Sequence, residues 1–199
     1  MPSAAASLVP RRARVVLADA NVLYARVLRD YLLIAAEHEL VEAHWSEQVL
    51  DDVLEHLILN RPTFDAAAAT RLKRAMTGAF PDALVVPRSA DYARLARFTL
   101  PDEDDRDVIA AALAVEATII CTNNVKHFPS NVMSELGLTV MTPDALFLRL
   151  IGDYLPVMVD VHRDAVKSLK GATDRSTLAA LRRAGAPKTA TVMSVMLKV

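Results

Sequence analysis

Four short segments carry carboxylate or amide side chains where the strands of an α/β sheet would end. Asp19 and Asn21 follow Arg14–Ala18. Glu47, Gln48, Asp51 and Asp52 follow the run ending at Trp45. Asp102, Glu103, Asp104, Asp105 and Asp107 precede an alanine-rich stretch, and Asn123 and Asn124 follow Thr118–Thr122. The strand ends of a parallel sheet converge on one crevice, so acids distant in sequence can meet there. Two carboxylates about 4 Å apart at an effective dielectric near 20 repel by about 4 kcal/mol, so three need a compensating cation. Hard oxygen donors point to magnesium or manganese rather than zinc. His38, His44, His56, His127 and His162 show no ligand spacing with one another or with Cys121.

Periodicity leaves a choice within the second segment. Asp51, Asp52, Glu55 and His56 share the helix side opposite Val53, Leu54, Leu57 and Ile58, so either Asp52 or Glu55 can face the crevice. In the third segment, negative charge at a helix start is favoured by about 0.3 to 1 kcal/mol per residue. Capping accounts for one acid there, Asp104, and leaves four unexplained. An enzyme with Asp19 as phosphotransfer nucleophile would want a second acid where Asn21 stands. With five glycines and no G-x-x-x-x-G-K or G-x-G-x-x-G run, no phosphate-cradling loop is present.

The elements that must position these groups alternate. Strands are expected at 14–18, 40–45, 83–86, 118–122 and 139–141. Helices are expected at 22–37, 46–60, 65–76, 108–117 and about 145–151, with 88–100 ambiguous. Ser46 supplies an N-cap, and Trp45 with Leu50 a hydrophobic staple. Such alternation predicts an α/β fold with a central parallel sheet covered by helices on both faces. After Gly152 the pattern is helical, with breaks at Pro156, Gly171, Gly185 and Pro187. The expected organisation is a disordered start at 1–11, a main domain at 12–151 and a helical extension at 152–199.

With 199 residues, 53% hydrophobic and 24% charged, the chain has material for one substantial core plus an appendage. No apolar run reaches the roughly 18 residues of a membrane span. Cys121, the single cysteine, sits in an apolar strand pattern and reads as a buried small hydrophobe, which leaves a cytoplasmic location as the default. The net charge of -1 is unevenly spread: residues 163–199 hold eight Lys or Arg against two Asp, a net +6, leaving -7 elsewhere. A basic tail on an acidic body can steer a polyanion toward the acids, or can be a solvated helical face.

Asp19-Ala20-Asn21-Val22-Leu23, Trp45 through Val53, Pro101 through Ala112, and Thr122 through Phe128 resemble the four motifs of PIN-domain nucleases, in particular the VapC-like toxins of bacterial toxin–antitoxin pairs. The resemblance runs from Val15 through the tail, and the third motif is the most specific. It implies a PIN-like α/β sandwich and magnesium- or manganese-dependent cleavage of RNA. Asp19 matches the first acid, Asp52 the second, Asp105 or Asp107 the third, and Asn124 the fourth. Asp52 is one methylene shorter than the usual Glu, and Asn124 lacks the charge many relatives carry. Asn21 and Thr122 then fit hydrogen-bonding support of the ligands, and Arg106 either offsets the acids or touches phosphate. The resemblance also implies an RNA substrate and a cognate antitoxin whose segment covers the crevice. Apolar surface on the helices at 22–37 and 46–60 suits that partner or a homodimer. The rival expectation is a non-catalytic RNA- or partner-binding PIN module.

Overall fold

A computed structural model describes residues 14–199; the expectation of a disordered start at 1–11 lies outside the described residues. Five strands, β1 (Arg14–Ala18), β2 (Val41–Ser46), β3 (Leu84–Val85), β4 (Ile119–Cys121) and β5 (Thr139–Met141), form one sheet in the order β3-β2-β1-β4-β5. Every pairing is parallel. This is the α/β architecture expected from the alternating pattern. The order reverses at β1, which pairs with β2 on one side and β4 on the other. The C-terminal ends of these strands therefore flank the crevice where open α/β sheets bind ligands. Register fixes the meeting point: Ala18 stands opposite Cys121, and the Asp19 amide donates to the Cys121 carbonyl at 3.0 Å.

The helices are α1 (Ala20–Tyr24), α2 (Arg26–Glu37), α3 (Glu47–Asn60), α4 (Ala66–Ala79), α5 (Ser89–Leu95), α6 (Asp105–Ala114), α7 (Ser130–Glu135), α8 (Pro143–Lys167), α9 (Asp174–Arg183) and α10 (Pro187–Leu197). Ser46 caps α3 by accepting from the Val49 amide at 3.1 Å, while Trp45 and Leu50 on either side are both fully buried. Val16, Leu17 and Ala18 of β1 and Ile120 and Cys121 of β4 have no exposed surface, as a sheet covered on both faces requires.

Several elements depart from expectation. The helix anticipated at 22–37 is two, because Ala25 adopts an extended conformation (φ -77°, ψ 103°) between α1 and α2. The ambiguous stretch 88–100 contains α5. The helix anticipated at 108–117 starts three residues earlier, inside the acidic segment, and Glu116 takes a positive φ of 53° after it ends. Asp104 does not cap it: its side chain makes no capping bond, and its own amide donates to Asp102 Oδ1 at 3.1 Å. Gly152 and Pro156 do not end α8. The helix kinks at Tyr154 (φ -142°, ψ 45°), two residues before the proline, and runs to Lys167. The segments beyond it are not peripheral to the core, since Leu181, Ala186, Ala190 and Met193 are fully buried.

Candidate active site and metal centre

Asp19 follows the last residue of β1 and caps α1, so one carboxylate is held by both elements. Its Oδ1 accepts from the Ala20 amide at 2.6 Å, and its Oδ2 accepts from Asn21 Nδ2 and Thr122 Oγ1, each at 2.5 Å. Thr122 follows β4, and its hydroxyl oxygen also accepts from Asn21 Nδ2 and the Asn124 amide, both at 2.9 Å. Asn21 Oδ1 in turn accepts from the Asn123 amide at 2.9 Å. The ends of β1 and β4 are thus laced together around Asp19, which is 8% exposed. Burial pushes its carboxyl above the usual carboxylate range; the three hydrogen bonds oppose that shift and the Asp52 charge adds to it.

Asp52 lies on the second turn of α3, half-buried, and accepts from Gln48 Nε2 at 2.8 Å. Its neighbour Asp51 is turned away and paired with Lys73 at 2.7 Å. Glu55 is exposed, and it is Asp52 rather than Glu55 whose charge bears on Asp19.

Asp105 opens α6. Its carboxyl is also raised, by burial first, then by the charges of Asp19 and Asp102, against a hydrogen bond and opposite charge from His127. Asp19 therefore feels the Asp52 charge, and Asp105 feels that of Asp19. Among the described residues no Lys or Arg pairs with any of the three, and the basic side chain set against them is His127, beside Asp105.

Two further residues join the site. His127, at the end of a 3-10 turn (Val125–His127), puts Nδ1 3.0 Å from Asp105 Oδ2, 3.5 Å from Asp102 Oδ2 and 2.7 Å from Asn124 Nδ2. One donor atom from each of Asp102, Asp105 and His127 lies within 4.8 Å of the other two. Sequence spacing does not reveal His127, because its neighbours come from another element. The usable signal is its place three residues after Asn124 in the fourth motif. Asp102 lies in the acidic segment of the third motif, three residues before Asp105.

Asp107, on the first turn of α6, lies outside the Asp102–Asp105–His127 cluster, as Asp19 and Asp52 do. It is one of the residues around a recess of about 170 Å³ with Gln48, Val86 and Tyr92. Burial, then a hydrogen bond and charge from Asp107, push the Tyr92 phenol up to about 12. Arg106 is held by Glu103 and by the carbonyls of Leu95 (2.9 Å) and Phe98 (3.2 Å), so it ties the acidic loop to the end of α5. Cys121 is fully buried, and burial drives its thiol well above the ordinary range.

A bound divalent ion suits this donor set: converging, incompletely neutralised carboxylates and an imidazole nitrogen facing two of them. No described helix is long and apolar enough to cross a membrane.

Comparison with known proteins accords with this geometry. Over 65 residues the chain is 32% identical to "Putative ribonuclease VapC50" of Mycobacterium tuberculosis (strain ATCC 25618 / H37Rv), an alignment spanning 33% of this chain and 34% of that protein. The match therefore covers about a third of the relative's length. No solved structure matches. The profile described as "PIN domain" matches residues 14–126, a span that carries β1 through β4 with Asp19, Asp52, Asp105 and Asn124 and stops one residue short of His127. The matched span is more than half of the chain, which belongs to the PIN domain family.

Proposed function

We propose that this protein is a metal-dependent endoribonuclease, the toxin of a toxin–antitoxin pair, acting in the cytoplasm on RNA phosphodiester bonds. The observation that carries this reading is an acidic crevice at the switch point of a parallel sheet, where Asp102, Asp105 and His127 present donor atoms within 4.8 Å of one another, Asp19 adds its charge to Asp105, and no Lys or Arg among the described residues pairs with Asp19, Asp52 or Asp105. Family membership and the VapC50 likeness support it.

Asp19, Asp52 and Asp105 would hold magnesium or manganese directly or through water, with His127 and Asp102 beside them and Asn124 further out. The bound ion supplies acidity to an attacking water and positive charge to the leaving oxygen. Asn21 and Thr122 donate to Asp19 and so fix the orientation of its Oδ2, the work of supporting hydrogen bonds around a ligand. Gln48 does the same for Asp52. His127 cannot use one ring nitrogen both to accept from Asn124 and to donate to Asp105. With Nδ1 accepting, its lone pair and the Asp105 oxygen compete for positive charge, an arrangement an added cation completes. Asp107, turned toward Tyr92, would orient solvent or substrate rather than ligate.

A cognate antitoxin would restrain the enzyme by covering the crevice, with an Arg or Lys among the acids. Exposed Ile58 and Leu59 near the end of α3 give such a partner an apolar foothold.

The test is cleavage of a mixed RNA pool by antitoxin-free wild type and Asp19→Asn with magnesium, manganese or EDTA. Metal-dependent cutting by wild type, reduced by about 10² or more in Asp19→Asn, is the expected result. Folded wild type that binds RNA and does not cut it under any of these conditions would overturn the enzyme and leave a binding module.

A further inference from the structure

A groove lies outside the acidic crevice, between the α1–α2 junction and the segments beyond α8. Its volume is about 460 Å³, and Tyr24, Arg26, Arg61, Leu169, Ala180 and Arg183 are among the residues that line it. Three arginines meet one acid there, Asp30, and Arg26 is the one that neutralises it at 3.3 Å. Arg61, just after α3, has its guanidinium over the Tyr24 ring, 5.6 Å from the centroid. Arg183 ends α9. Among the described residues neither Arg61 nor Arg183 forms an ion pair. A helix C-terminus favours a basic residue there on dipole grounds alone. That does not account for a second uncompensated arginine on the opposing wall, from a different part of the chain.

Both walls adjoin elements that carry residues of the acidic site. Tyr24 packs edge-on against His56, with ring centroids 6.5 Å apart, and His56 Nδ1 contacts the Asp52 carbonyl at 2.8 Å. On the other side, Gly185 closes α9 with φ +95° and lies against the loop after β4. A Cβ there would sit 3.2 Å from Asn123 Oδ1, so both the backbone conformation and the close approach call for glycine.

We propose that this groove binds the backbone of single-stranded RNA that leads into the acidic crevice, with Arg61 and Arg183 each contacting a phosphate. This rests on the ribonuclease reading and adds a substrate track that the C-terminal helices build. Guanidinium planes and aromatic rings along a positive groove are the elements with which proteins hold single strands without reading sequence.

The test is carried out in full-length Asp19→Asn, so that binding is read without cleavage. Fluorescence anisotropy of a labelled unstructured RNA, measured across a salt series, compares that protein with Arg61→Ala/Arg183→Ala added. Arg71→Ala/Arg74→Ala, on α4, is the charge-matched control. The groove variant is expected to bind about tenfold or more weakly, and its log–log salt slope to be shallower by about 1.4, two contacts at roughly 0.7 each. The control is expected to keep the parental slope, and thermal melts verify that all variants are folded. Equal affinity and slope in the groove variant and its parent would overturn the proposal. So would RNA binding that is unchanged while polyglutamate binds the parent and not the groove variant, which would make the groove a protein-docking surface. Failure of the nuclease reading would show separately, as absence of metal-dependent cutting by wild type.

Discussion

Asp105 stands between Asp19, whose charge raises its carboxyl, and His127, whose hydrogen bond lowers it. If Asp105 holds a divalent ion, Asp105→Asn should remove both cleavage and the thermal stabilisation that the ion confers. At a hundredfold excess over its dissociation constant, a ligand specific to the folded state adds about 2.7 kcal/mol. Wild type should therefore melt higher in manganese than in EDTA, and Asp105→Asn at nearly the same temperature in both; an equal rise in the two would remove Asp105 from the ligand set. A second residue makes a pH prediction away from this site. His162 is completely buried, in contact with the Tyr31 hydroxyl and 3.0 Å from Asp174. Burial holds its imidazole below the ordinary value of 6.5, opposed by Asp174 and reinforced by Arg163. A depressed folded-state value means that the unfolded chain takes up the proton first. The contribution is intact above pH 6.5 and is lost as pH falls from there toward the folded-state value, by at most about 1.4 kcal/mol per pH unit. Urea melts between pH 7.5 and 5 should show this slope in wild type and a flatter one in His162→Gln. The acids at strand ends were legible because residue type and strand-end position suffice to propose them. His127 was not, because its partners Asp102 and Asp105 come from a segment more than twenty residues away, and only the sheet and α6 bring them together.

Among the elements, α10 shows how the tail is fastened. Asp144, in the first turn of α8, accepts from the amides of Lys188 (3.2 Å) and Thr189 (2.7 Å) and from Thr189 Oγ1 (2.8 Å), so one helix supplies the N-terminal cap of another. Asp144→Ala is expected to cost about 1 to 2 kcal/mol, the usual range for a lost cap. It should also raise amide exchange in α10 more than in β1; uniform exchange changes would argue against a local anchor. Gly152 offers the opposite sign. It is exposed on α8 with nothing within 4 Å of an added Cβ and no positive φ, so Gly152→Ala is expected to stabilise by about 0.5 to 1 kcal/mol in denaturant melts. The glycine and proline that suggested an end to this helix instead accompany a kink at Tyr154, because the burial of Met158, Val161 and His162 outweighs local propensity. The strands and the alternation were legible for the reason that α8 was not: their apolar runs and turn residues agree with the tertiary structure, whereas at residues 152–156 local preference and packing conflict.

At the scale of the molecule, uneven charge invites treatment of the tail as a detachable basic arm, and packing argues against it. Within residues 171–199, Leu181, Ala186, Thr189, Ala190 and Met193 are fully buried, and α9 and α10 pack on each other and on α8. Removing this segment would strip α8 of the two helices packed on it and leave Asp144 without the Lys188 and Thr189 amides, so weaker RNA binding in a truncation could come from unfolding as readily as from lost charge. Burial of a single leucine side chain is worth about 1.5 to 3 kcal/mol, and the segment buries several such groups, an amount comparable with the whole stability of a small domain. A chain ending at residue 170 is therefore expected to lose most of its cooperative melting transition. Arg175→Gln/Lys188→Gln, which changes charge at two exposed tail positions, should melt within a few degrees of wild type. Retention of the full transition by the truncated chain would make the tail a true appendage and revive the detachable arm. Its loss, with the charge variant intact, would mean that the basic residues are displayed by helices belonging to the same folded unit as the acids.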